Sequence, residues 1–278
     1  MKAWKYLLGF LFLSAVSLWL ALFTPKGKNF HLIACDVGQG DAILAVYGDT
    51  QILTDGGPGD SVLVCLEKYM PFWDRDIELV VLTHPQIDHY GGLIEVLNRY
   101  KVEVFLTNDF DVSTQSLEAL KNAVGGSGAR FIYPGVGTRI RVGMIYLDIL
   151  HPERGAVSAK SNNLSIVSIL RLGDFEALLT GDIGVEGIEE ILKRGQLRDV
   201  EYIKVPHHGS KNGLTPALLE AGRPEIAVIS VGKNNSYGHP HQETLEMLKN
   251  RGIKILRTDE IGDVVVITDG NSWRLKEN

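Results

Sequence analysis

Apolar and polar positions along this chain follow two different periods, and each change of period marks an element. Phe30 to Asp36, Ala42 to Tyr47 and Gln51 to Thr54 are short apolar or β-branched runs, separated by Val37-Gly38-Gln39-Gly40-Asp41 and by Gly48-Asp49. That spacing predicts three strands of a meander with the glycine or aspartate each turn needs. Ser61 is placed to cap a helix over Val62 to Met70. The run Val80 to Thr83 predicts a buried strand that delivers His84, Gln86, Asp88 and His89 into a short loop, after which Gly91-Gly92 opens a helix near Leu93 to Tyr100. Further helices are predicted over Gln115 to Val124, Val185 to Arg194, Pro216 to Ala221 and Glu243 to Arg251, with a turn at Gly125 to Gly128. Strands are predicted near Val102 to Leu106, Thr138 to Arg141, Met144 to Leu150, Ser165 to Leu172, Phe175 to Leu179, Tyr202 to Val205, Ile226 to Ser230, Ile253 to Leu256 and Val264 to Ile267. Strands thus dominate both halves with helices between them, the pattern of two sheets packed face to face with helices outside and strand-end loops gathered on one edge.

The N-terminus follows neither period. After Lys2 and Lys5, Tyr6 to Phe23 is an uncharged apolar run just long enough to cross a bilayer as a helix, which makes it a signal peptide or a membrane anchor. The bulky Leu18 to Phe23 offers no small-residue cleavage site, so residues 1–28 read as an uncleaved anchor with its linker, and residues 29–278 as the folded domain. Lys26 and Lys28 balance Lys2 and Lys5; the free amino terminus favours a cytoplasmic N-terminus and an exported domain.

An apolar fraction of 45% is ample for a core, and a net charge of -6 argues against strong nonspecific binding to duplex nucleic acid. Cys35 and Cys65 match no metal or redox spacing and read as buried small hydrophobes, with a disulfide between them open outside the cytoplasm.

Three strand ends carry residues that divalent ions accept: His84, Asp88 and His89; Asp182, after Thr180-Gly181; and His207 or His208. Asp55, at another strand end, is placed to hydrogen-bond a metal-ligating histidine from behind. His31 lies inside a strand and reads as structural; Tyr90 reads equally as packing.

Taken together, Asp36-Val-Gly-Gln-Gly-Asp-Ala42, Thr54-Asp-Gly-Gly57, Leu179-Thr-Gly-Asp182, Lys204-Val-Pro-His-His-Gly-Ser210 and Tyr237-Gly-His-Pro240 resemble the metallo-β-lactamase fold superfamily and, within it, the ComEC-like hydrolase domains of bacterial DNA uptake, from about Phe30 to the C-terminus. The resemblance implies an α/β (α+β) fold, an αββα four-layer sandwich, with one or two divalent ions, zinc or manganese, activating water against an ester, phosphodiester or similar bond. It implies a phosphodiester or single-stranded nucleic-acid substrate, favours His208 over His207 as ligand, and gives catalytic roles to Asp88, as proton acceptor, and His239. Ser210, Lys211, Lys233 and Asn235 lie in adjoining loops and are candidates to neutralise a phosphate. Two departures stand out. Gln86 occupies a position that usually holds an ionisable ligand, and its neutral amide is a poor zinc ligand. The mid-chain histidine is missing, since the expected spacing reaches Asn162 and Asn163 while His151 lies further upstream. One well-occupied ion is therefore expected, held by Asp88, His89, Asp182 and His208. The competing class is a binding or structural module that has lost catalysis. The multi-helix channel of the DNA-uptake proteins is absent, so transport by this chain alone is not implied, and no protein partner is identifiable.

Overall fold

In a computed structural model, residues 3–23, 29–108, 115–158 and 161–276 are described; Lys2, Lys26 and Lys28 lie outside them. An N-terminal helix, α1 (Ala3–Phe23), is followed by two mixed sheets. The first sheet contains β1 (Phe30–Ala34), β2 (Ile43–Tyr47), β3 (Thr50–Thr54), β4 (Asp76–Val81), β5 (Lys101–Leu106) and β6 (Arg130–Ile132). The second contains β7 (Arg139–Val142), β8 (Ile145–His151), β9 (Val167–Leu172), β10 (Phe175–Leu179), β11 (Tyr202–Lys204), β12 (Ile226–Ile229) and β13 (Lys254–Arg257). The chain then returns to the first sheet as β14 (Val264–Thr268) and β15 (Trp273–Leu275), giving the orders β15-β14-β1-β2-β3-β4-β5-β6 and β13-β12-β11-β10-β9-β8-β7.

Three apolar layers hold these sheets. Phe30, Leu32 and Ala34 of β1 face Leu147, Ile149, Phe175 and Ala177 between the sheets. Residues one step along, such as Ile33, Leu44 and Val80, face the helices α2 (Ser61–Tyr69), α3 (Ile87–Arg99) and α4 (Gln115–Ser127). Ile169, Ile203 and Ala227 face α5 (Val185–Arg194), α6 (Pro216–Gly222) and α7 (Gln242–Lys249) on the other side, and the single turn α8 (Thr258–Ile261) precedes β14. Period-two alternation thus sends neighbouring side chains into different layers, which is why these strands read as unbroken apolar runs. The result is the expected αββα sandwich.

Several expectations need correction. Helix α3 begins at Ile87, not after Gly91-Gly92, so Asp88 and His89 occupy its first turn and not a loop. Helix α4 continues through Gly125 and Gly126 to Ser127, and the short strands β6 and β15 had no clear periodic signal. The disulfide that the sequence left open between Cys35 and Cys65 is formed, with Cα atoms 5.9 Å apart, and both residues are buried as expected. In α1, Trp4, Leu7, Phe10, Phe12 and Leu13 are exposed. Among the described residues no helix is long and apolar enough to cross a membrane; the side chains of Ala3, Leu18 and residues 20–23 lie outside that set.

The early start of α3 follows from backbone contact. Gly56 N donates to His89 O at 2.7 Å and Gly92 N to Gly57 O at 2.9 Å, so the helix lies directly on the loop that leaves β3. A Cβ at position 92 would stand 2.1 Å from Gly56 O and 2.4 Å from Gly59 O. Both are backbone atoms that cannot swing aside, so Gly92→Ala is expected to destabilise the fold by about 3 kcal/mol. Urea denaturation in mild detergent measures this, and an unchanged midpoint would show that the loop yields freely.

Candidate metal centre

Parallel pairing places the site. Strands β3 and β4 run parallel in the first sheet, and β10, β11 and β12 in the second, so their C-terminal ends point the same way. Gly181, at φ +51°, lets the second sheet approach Thr83 of the first, since a Cβ there would lie 2.9 Å from Thr83 Cβ. Asp55, His84, Asp182 and His208 are thereby brought together with Asp88 and His89 from the first turn of α3.

Each imidazole is held from behind. His89 Nδ1 donates to Asp55 Oδ2 at 2.8 Å, and His208 Nδ1 donates to Ser230 O at 2.9 Å. Thr83 spends its hydroxyl proton and its N–H on Asp55, at 2.7 and 2.8 Å, so its oxygen is left to accept from His84 Nδ1 at 3.1 Å. With the three Nδ1 atoms committed, the Nε2 atoms of His84, His89 and His208 are buried without a hydrogen-bond partner. They face carboxylates: His89 Nε2 lies 3.4 Å from Asp182 Oδ1, and His208 Nε2 lies 3.4 Å from Asp182 Oδ2 and 3.6 Å from Asp88 Oδ2. Ligand atoms of His84, His89 and Asp182, and of Asp88, His89 and His208, fall within 4.8 Å of one another. Imidazoles oriented through one nitrogen and open at the other, facing anionic oxygens, form a donor set suited to a divalent ion.

The backbone is strained here. His207 and His208 both adopt left-handed conformations, at φ 51° and 52°, between Pro206 and Gly209. Two such residues cost on the order of 1–3 kcal/mol each. The kink aims His208 into the centre and brings His207 Nε2 within 3.8 Å of Asp182 Oδ2 from a more exposed position.

Two further charged groups, absent from the expected set, complete the floor. Asp41 is buried; it pairs with the Lys204 ammonium and sits 3.5 Å from His208 Nδ1 and 3.8 Å from His89 Nδ1. Lys204 is equally buried and reaches Asp182 Oδ1 at 3.5 Å. Burial opposes ionisation of Asp41 and Asp182, yet the surrounding Lys204, His208 and His89 cations hold both carboxyls well below the usual range. Burial pushes the His84 imidazole down to about 3, with His89 adding to the effect. For His89 burial is outweighed by Asp182 and Asp55, which lift it to about 10; Asp182 and Asp41 likewise lift His208 well above its ordinary value.

The other expected residues are distributed unevenly. Gln86 turns its amide nitrogen onto Ser161, at 3.1 Å, and onto Asn162. His151 faces away, its Nδ1 on Ser165 O at 2.9 Å and its Nε2 3.6 Å from Glu190. Ser210 is buried and accepts from Asn212 N, while Asn235 spends its amide closing its own loop through Gly232 O, His239 O and His239 N. Neither lines the two clefts beside the centre. Lys211 and Lys233 are exposed and line neither of the clefts beside the centre. His239 does line one, a cavity of about 230 Å³ shared with Gln39, Asp88, Asp182, His208 and Tyr237. Its Nδ1 is buried and unpartnered, and burial, reinforced by His207, lowers it to about 4. A second cavity of about 670 Å³ opens along Gln86, Asn162, Asn163, His207 and Asn212. His31, paired with Val46 and Ile267 in β1, belongs to none of these groups, and Tyr90, a residue of α3, is packed in the core that α3 shares with α2.

The sequence profile of the Metallo-beta-lactamase superfamily matches residues 35–233, which span both ligand-bearing sheets. The chain belongs to the metallo-β-lactamase superfamily. Members of this superfamily are generally metal-dependent hydrolases. The chain is 30% identical over 247 residues to ComE operon protein 3 of Bacillus subtilis, covering 82% of this chain and 32% of that protein. It is 29% identical over 254 residues to Recombination protein 2 of Haemophilus influenzae, covering 89% and 30%. It thus spans about a third of the length of these relatives. Among solved structures, the metallo-β-lactamase fold protein YhfI from Bacillus subtilis superposes with a TM-score of 0.60 at 12% identity, covering 87% of this chain and all of that one. A diphosphatase of the PhnP family superposes with a TM-score of 0.51 at 15% identity, covering 86% and 98%.

The charge states above set a pH dependence for this superfamily site. In the metal-free centre His89 and His208 hold protons at neutral pH, and a divalent ion must displace them to reach Nε2. Zinc affinity is therefore expected to rise as pH goes from 6 to 8, with protons released on binding. Calorimetry in buffers of different ionisation enthalpy reads the release; binding that is independent of pH would remove these imidazoles from the ligand set.

Proposed function

We propose that this chain is a ComEC-like, metal-dependent hydrolase of phosphodiester or single-stranded nucleic-acid substrates, anchored by α1 with its catalytic domain outside the cytoplasm. The observation that carries the hydrolase reading is the trio of buried, unpartnered Nε2 atoms on His84, His89 and His208 facing Asp182 and Asp88. Of these, His84 Nε2 has neither a hydrogen bond nor an ion pair, a burial that costs about 1–3 kcal/mol and that a coordinated ion would relieve. When bound, the ion supplies Lewis-acid polarisation of the scissile group and acidifies a water molecule.

The chain's own residues supply the remainder. Asp88 is the least enclosed of the carboxylates, and despite partial burial the His208 imidazole 3.6 Å away keeps its carboxyl below the usual range, so it is placed to accept the proton of the attacking water. His239 stays neutral on the cleft wall and offers a hydrogen bond to a phosphate oxygen or leaving group. The exposed Tyr237 ring, nearly parallel to His239 at 23° with centroids 5.7 Å apart, presents a face on which a base can stack. The relatives named for competence-operon and recombination proteins, and the structural neighbour that is a diphosphatase, favour phosphoester chemistry. The disulfide suits an oxidising compartment, and the exposed apolar side chains of α1 suit a bilayer. Gln86 and the displaced His151 leave the His84 side short of ligands, which favours one ion over two.

Hydrolysis of bis(p-nitrophenyl) phosphate with added manganese or zinc tests the activity. Asp182→Asn and His89→Ala are each expected to lower metal content and rate by on the order of 10²-fold, while His31→Ala changes neither. Equal metal content in wild type and Asp182→Asn would take that aspartate out of the site. For the anchor, the full chain is expected to sediment with membranes; recovery in the soluble fraction, or trimming near Ala21, would end that part of the reading.

A further inference from the structure

Lys204 is the last residue of β11, and strand alternation points its side chain into the layer between the sheets beside Tyr202. A lysine rarely ends in such a place without anionic partners. Its ammonium meets three oxygens. It donates to Gly181 O at 3.0 Å, pairs with Asp41 Oδ2, and lies 3.5 Å from Asp182 Oδ1. An ammonium has three N–H groups, so every donor has an oxygen. Two carboxylates and a carbonyl around one enclosed point make the kind of cage that a hard cation also fills.

The neighbours of this cage are those of the metal centre. Ligand atoms of Asp41, Asp182 and His208 lie within 4.8 Å of one another, as do those of Asp41, Asp55 and His89. Asp41 touches the two imidazoles on the Nδ1 side, opposite the nitrogens that face Asp88 and Asp182. Asp182 is divided between the two regions. Its Oδ1 faces Lys204 and His89, and its Oδ2 faces His208 and His207.

We propose that Lys204 is a built-in cation of this centre: its ammonium fills the oxygen cage formed by Asp41, Asp182 and Gly181, orients Asp182, and excludes a second metal ion from it. Lys204 is on this account a positioning residue that sets how many ions the site holds. The inference rests on the metal-centre reading above.

Metal-to-protein ratios of the full chain, equilibrated with manganese or zinc in mild detergent and measured by plasma emission, test it alongside the metal-induced rise in melting temperature. Wild type is expected to hold about one ion. Lys204→Met removes the charge and leaves two carboxylates uncompensated, so its ratio should rise towards two and its melting temperature should depend more strongly on added metal. Adding Asp41→Asn to Lys204→Met dismantles the cage and should return the ratio to about one. A ratio near one in Lys204→Met with an unchanged metal-dependent shift overturns the proposal, as does a wild type that already holds two ions. A wild type that holds none removes the metal-centre reading and this proposal with it. Should Lys204→Met fail to fold, Asp41→Asn alone decides. With the ammonium kept and its partner neutral, affinity for the single ion should fall by roughly tenfold, because an unbalanced cation then lies beside it. Unchanged affinity there overturns the proposal.

Discussion

Carboxylates taken out of water repel one another and lose their hydration, so Asp41, Asp55 and Asp182 can share one dry junction between two sheets only if cations meet them. The centre answers this in two ways. Lys204 is a permanent positive charge brought in on a strand, and His89 and His208 are conditional ones, protonated when nothing else is bound. A divalent ion would take over from the conditional charges and leave the permanent one in place. The strained Pro206-His207-His208-Gly209 turn, the contact between α3 and the Asp55 loop, and the close approach at Gly181 all serve to bring these charges within reach of one another.

Much of this was legible in the chain. Short apolar runs between glycine-bearing turns fixed the strand count closely, because strands buried on both faces leave an unmistakable continuous signal. His84, Asp88, His89, Asp182 and the His207-His208 pair were legible for a related reason: each follows such a run, and parallel strands carry their ends to one edge. Asp41 and Lys204 escaped. An aspartate after Gly38-Gln39-Gly40 looks like any turn residue, and only the three-dimensional path shows it entering the floor of the site. A single lysine at the end of Tyr202-Ile203-Lys204 carries no mark of being enclosed. Ser210 and Asn235 show a different limit. Both stand in loops beside the candidate ligands, where short polar side chains near a tight turn hydrogen-bond that turn's backbone. The start of α3 was placed late because Gly91-Gly92 resembles a helix opening; those glycines instead permit a close helix-to-loop approach.

The comparisons separate fold from site. Structures with 12% to 15% identity share the sandwich, which shows how loosely the apolar layers constrain individual side chains. Function depends on the strand-end residues grafted onto it. In this chain those ends depart from the pattern at Gln86, whose amide is turned towards Ser161 and Asn162, so the part of the centre near His84 is the one where its chemistry differs from the resemblance that the rest of the sequence supports.

The disulfide has a consequence for how the centre is assembled. Cys35 and Cys65 are 30 residues apart, and the ring they close contains both Asp41 and Asp55. Closing a loop of that size removes about 3–4 kcal/mol of chain entropy from the unfolded ensemble in the simplest account. An oxidised but unfolded chain therefore carries two of its future site carboxylates on one short tether. The diffusive search that must bring them to His89 and Lys204 begins from a much smaller volume than the open chain would explore.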